Sequence, residues 1–130
     1  MKTKRLLVLA FSLMALLAAC GSPSLPAVVP DMLQVSEHVG AGNTTQYTVT
    51  KPEKIQQLYT ALAALPGIPA FQGCPSIGGP SYDLTFSKQG KLVVKAQASR
   101  DGCGTVVLSR DDQRQPDDHF WSLLTQAIQS

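Results

Sequence analysis

Apolar positions are spaced in three ways along this chain. Between residues 6 and 19 they run unbroken except for Ser12. From residue 31 onward they alternate with polar positions or recur at helical spacing. The runs MLQVSEHV and TTQYTVT favour strands, and the turn-rich GAGN between them predicts a hairpin. In KPEKIQQLYTALAALPG, Ile55, Leu58, Tyr59, Leu62 and Leu65 fall at i, i+3, i+4, i+7 spacing, the buried stripe of a helix. Pro52 suits its first turn, Glu53 lies near the positive end of its dipole, and Pro66-Gly67 stops it. In SYDLTFSKQGKLVVKAQASRDGCGTVVLSRDD the period drops to two. Tyr82, Leu84 and Phe86 point one way, Asp83 and Thr85 the other, and the turns SKQGK and SRDGCG divide the stretch into three strands. DDHFWSLLTQAIQS returns to helical spacing with Phe120, Trp121, Leu124 and Ile128 inward and Asp117 or Asp118 as N-cap.

The order is β-β-α-β-β-β-α, an α+β fold: an antiparallel sheet of about five strands with two helices packed on one face. Alternation fixes which face is buried and leaves the strand order open.

The apolar leader carries a positive head, Lys2, Lys4 and Arg5, and is shorter than the roughly 20 residues that span a bilayer. With the small Ala18 and Ala19 at its end, it reads as a secretory signal peptide. Leu17-Ala18-Ala19-Cys20 resembles the lipobox of bacterial lipoproteins, an aliphatic residue and two small ones before a cysteine. The resemblance implies diacylglyceryl transfer to the Cys20 thiol, cleavage between Ala19 and Cys20, and a new N-terminus bearing palmitate-type acyl chains. The expected organisation is a signal peptide (residues 1–19), a lipidated cysteine with a Pro-rich tether (20–30) and a single α+β domain (31–130). Its expected location is the extracytoplasmic face of the cell membrane or outer membrane, held by lipid through Cys20. The ten tether residues after Cys20 include three prolines, and at about 3.1 Å each they would reach about 30 Å.

The leader also changes the charge. It holds three of the 11 Lys and Arg and none of the 9 Asp and Glu, so the remainder carries eight against nine, a net −1. The sequence pI near 8.5 therefore belongs largely to the leader. Without a basic stripe to track a phosphate backbone, nucleic acid is not an expected partner.

Lipidation of Cys20 leaves Cys74 and Cys103, an even pair that reads as one disulfide in an exported chain. Neither has a neighbouring Cys or His to make a metal site. The acidic run Asp111, Asp112, Asp117, Asp118 with His119 lacks the alternate carboxylates and glycine of a calcium loop, and Arg114 sits within it. It reads as a solvated loop plus a helix cap. His38 and His119 have no Gly-x-Ser-x-Gly nucleophile to serve. No catalytic residue, metal or other cofactor is therefore expected.

Residues 66–80, PGIPAFQGCPSIGGP, hold four prolines and four glycines and exclude regular structure. A loop this long is a candidate binding surface, with Phe71, Pro75, Ser76 and Ile77 as its contact residues. The plainer reading, and the favoured one, is a connection whose Phe71 and Ile77 pack inward beside Trp121 or Leu65. Cys74-Pro75, the Tyr82-x-Leu84-x-Phe86 strand, Gly102-Cys103 and Phe120-Trp121 together resemble small bacterial lipoproteins of uncharacterised function. That resemblance implies architecture and brings no active site. The functional expectation is a non-enzymatic binding module at the cell envelope, with an envelope protein as partner. The alternatives are a protease-inhibitor-like module using the Cys74 loop and, behind it, a hydrolase.

Overall fold

β1 (Met32–Val39) and β2 (Asn43–Val49) form the expected hairpin, with Val35 opposite Tyr47 and Val39 opposite Asn43. The structure, a computed structural model, describes residues 25–69 and 73–130. The leader, Ala19, Cys20 and Phe71 lie outside the described residues. α1 (Pro52–Ala64) follows β2 and carries the chain over the sheet to β3 (Ser81–Lys88), which pairs with the far side of β1. β4 (Lys91–Ser99), β5 (Thr105–Ser109) and β6 (Asp112–Arg114) extend the sheet, and α2 (Asp118–Ile128) closes the chain over it. The sheet order is β2-β1-β3-β4-β5-β6, antiparallel throughout.

Period-two alternation puts Leu33, Val35, Val49, Leu84, Phe86, Ala96, Ala98 and Val106 on one face. They share a single core with Ile55, Leu58 and Leu62 of α1 and Phe120, Leu124 and Ala127 of α2. Each fully buried large side chain contributes about 1.5–3 kcal/mol. Phe86→Ala, at the centre of this core, would therefore cost about 3–5 kcal/mol. Trp121 and Ile128, expected inward, pack against the core but are only partly buried. Asp117 is the N-cap of α2, its carboxylate accepting from the Phe120 N–H at 2.8 Å. The β3–β4 turn needs two residues, Gln89 at φ 50° and Gly90 at φ 76°. That is the left-handed pair of a tight hairpin turn, and glycine serves it without steric cost.

Two expectations change. The acidic run is not all solvated loop, because residues 112–114 form β6 and Arg114 is 3% exposed. Its Nε and Nη2 donate to the two carboxylate oxygens of Asp112 at 2.9 and 3.0 Å, while Nη1 donates to the carbonyls of Leu62 and Ala63. Those carbonyls close α1, where four acceptors lack helical partners and a cation meets the negative end of the dipole. Nor are residues 25–30 a free tether. Leu25 packs against the core, Pro30 is buried, and the Tyr59 hydroxyl donates to the Pro26 carbonyl at 2.6 Å.

Candidate functional site

The described parts of this connection, residues 66–69 and 73–80, lie at the end of the sheet where β1 and β4 finish and β3 begins. Among these described residues there is no strand, and the holds on them come from neighbours. The Gln115 N–H donates to the Pro66 carbonyl at 2.8 Å and Gly67 bridges to Arg114, which fixes the start. Cys74 is bonded to Cys103 in the β4–β5 turn, with the Cα atoms 5.3 Å apart. The Gly78 N–H donates to Asp101 at 3.0 Å, and the Arg100 N–H donates to the Pro80 carbonyl at 3.1 Å. The expected disulfide is thus present and works with four further ties.

Between the hold at Cys74 and the hold at Gly78 lie Pro75, Ser76 and Ile77, all exposed. Ile77 is 71% exposed, which overturns the expectation that it packs beside Trp121 or Leu65. The ties at Cys74 and Gly78 hold both sides of this three-residue span.

Beside this loop the Arg100 guanidinium sits 4.6 Å from the Trp121 ring centroid, within cation–π range. Trp121 in turn contacts Phe120 edge-on at 5.3 Å and Tyr82 at 6.2 Å. Tyr82 and Tyr47 donate from their hydroxyls to the two oxygens of Glu37, at 3.1 and 2.9 Å. The pKa of Tyr47 is raised, chiefly because its hydroxyl donates to Glu37; that of Tyr82 is raised chiefly by burial and then by the Glu37 charge. A continuous row of contacts thus links the exposed rim at Arg100 to a half-buried carboxylate. Sequence reasoning missed this row. Its one legible signal was Glu37 at the inward parity of Leu33 and Val35.

The two histidines are far apart in role. His38 lies on the open face, its Nε2 2.8 Å from Asp83 and its Nδ1 3.0 Å from Thr44. A carboxylate accepts only, so Asp83 selects the Nε2–H tautomer of the neutral ring and leaves Nδ1 to accept the Thr44 hydroxyl. The order hydroxyl, imidazole, carboxylate is that of an activated nucleophile. Here it spans three adjacent strands on a half-exposed surface, where it pins β2, β1 and β3 to one another. His119 lines an open groove between the helices with Leu123 and, on α1, Gln57 and Ala61. The acidic residues near it are dispersed: Asp112 pairs with Arg114 and Asp117 caps α2. Among the described residues no three His, Cys, Asp or Glu side chains gather as a metal site, and no helix is long and apolar enough to cross a membrane.

No family model, curated protein or solved structure matches this chain.

Proposed function

We propose that this protein is a lipoprotein held by acyl chains on Cys20 at the extracytoplasmic face of the cell envelope, and that it binds an envelope protein partner through Pro75, Ser76 and Ile77. The observation that carries the reading is the exposure of Ile77 inside a loop tied at Cys74 and Gly78. An apolar side chain presented on a restrained loop loses little entropy when a partner covers it. Its burial would contribute on the order of 1.5–3 kcal/mol to the complex. Arg100 on Trp121 adds a cation beside the same surface.

A photo-crosslinking residue in place of Ile77 should capture a defined envelope protein, and the same residue in place of Leu92, on the open sheet face, should not. Equal labelling from both positions would end the proposal for the loop. Mass spectrometry of Cys20 tests the anchor separately, since an unmodified cysteine would remove it. The protease-inhibitor-like reading uses the same exposed loop, and slow cleavage between Cys74 and Gly78 by a protease that the chain also inhibits would favour it over plain binding.

A further inference from the structure

We infer that the other end of the sheet, around the β3–β4 turn, rests on a membrane surface bearing anionic headgroups. The inference builds on the proposed anchor and adds the orientation that the fold imposes on it. Because Leu25 is packed on the core and Pro26 is bonded to Tyr59, only five chain steps separate Cys20 from the docked segment. At no more than about 3.6 Å per step, they hold the docked segment within about 18 Å of the lipid anchor. Tyr59 meets Phe86 edge-on, one position before Ser87, so the docked segment lies at the turn end of β3.

What stands there fits a lipid surface. Among the described residues, six large apolar side chains are exposed, and four of them, Val28, Val29, Met32 and Leu92, belong to this end. Met32 and Leu92 flank Ser87 on one rung of three adjacent strands, so they point from the same face about 10 Å apart. Val29 precedes Met32 by three residues, which keeps it within about 10 Å by chain length. Leu92 is 59% exposed. Lys88 and Lys91 pair at the turn on the next position, and Lys95 lies three positions after Leu92 on β4, so three lysines stand at this end of the sheet. The carboxylate facing them, Asp31, already accepts from the Gln89 N–H and lies 3.9 Å from Lys88. Apolar side chains flanked by lysines suit the headgroup boundary, where the former enter and the latter meet anionic lipid.

The test uses the full chain reconstituted in vesicles of phosphatidylcholine and phosphatidylglycerol containing spin-labelled lipid. Dansylalanine replaces Leu92 or Ile77, both exposed positions, and matched melting midpoints verify the fold. Quenching should be several-fold stronger at position 92 than at 77. The contrast should shrink in Lys88→Glu with Lys91→Glu, and in phosphatidylcholine alone. Equal quenching at both positions, or stronger quenching at 77, overturns the inference. So does shielding of position 92 without lipid quenching together with a doubled mass, which would assign the patch to a second copy of the chain. An unacylated Cys20 in the same samples would remove the anchor reading, while the contrast between 92 and 77 still decides the orientation.

Discussion

At one end of the sheet the chain reverses in two residues, Gln89 and Gly90, and β3 and β4 stay paired up to Lys88 and Lys91, with one register shift at Phe86 and Ser87. At the other end residues 66–80 bridge from α1 to β3 and depend on a disulfide, a β6 bridge and the Asp101 carboxylate. A short turn carries its register within itself. A long proline- and glycine-rich connection has no such register and takes its shape from whatever it is tied to. The surfaces differ accordingly: the turn end carries exposed apolar residues and lysines, and the stapled end carries the exposed Ile77 and, separately, the Arg100–Trp121 pair.

The sharpest way to break the contrast is to release the stapled end at its start. Arg114→Ala removes a buried cation and leaves Asp112 and the last carbonyls of α1 without it. The expected loss is about 3–5 kcal/mol, read by denaturant unfolding. A variant within about 1 kcal/mol of the wild type would show that water replaces the guanidinium there. Cys103→Ala releases the loop at its middle. The cysteines are 29 positions apart, and in the chain-entropy model a loop of about that length is worth roughly 3.6 kcal/mol. Because even about 1 kcal/mol moves a domain of this size by about 4–8 °C, the melting midpoint should fall visibly while the β3–β4 end keeps its amide protection.

Tyrosine titration sharpens the comparison without unfolding either end. The chain has three tyrosines, Tyr47 and Tyr82 on Glu37 towards the stapled end and Tyr59 on Phe86 towards the turn. All three have raised pKa values, Tyr59 through burial alone. A group raised above its unfolded value stabilises the fold below that value, about pH 10, and the gain is lost as pH climbs through the folded value. Glu37→Gln should therefore lower two of three phenolate midpoints in an ultraviolet titration and leave the third in place. Uniform movement of all three would show that the carboxylate is not the cause. The smallest expected effect is on stability at the two exposed surfaces. Ile77→Ser and Leu92→Ser should each stay within about 0.5 kcal/mol of the wild type. A larger loss in either would mean that the side chain packs against the fold.

Periodicity made most of the fold legible. The alternation in MLQVSEHV gave β1 at Met32–Val39, the i, i+3, i+4 stripe gave α1, and two spare cysteines gave the disulfide. β6 was illegible because Asp112, Gln113 and Arg114 contain no apolar residue to betray a period. What orders them is the end of a helix far earlier in the chain. The docking of residues 25–30 was hidden for a related reason, since a proline-rich apolar stretch reads as a spacer until the Tyr59 hydroxyl is found beside it. The direction of Ile77 depends on the path between two anchors, and no local pattern encodes that path.

The reach of Arg114 bears on the order in which the molecule assembles. Its guanidinium joins carbonyls 52 and 51 positions earlier in the chain. Bringing such distant segments together costs loop-closure entropy before any bond repays it. The β1–β3 pairs close loops of similar length, so the last turn of α1 and the three residues of β6 belong with the central strands among the long-range closures, and the two should lose amide protection together. A chain made N-terminus first would hold an unfinished helix end until Arg114 had been added.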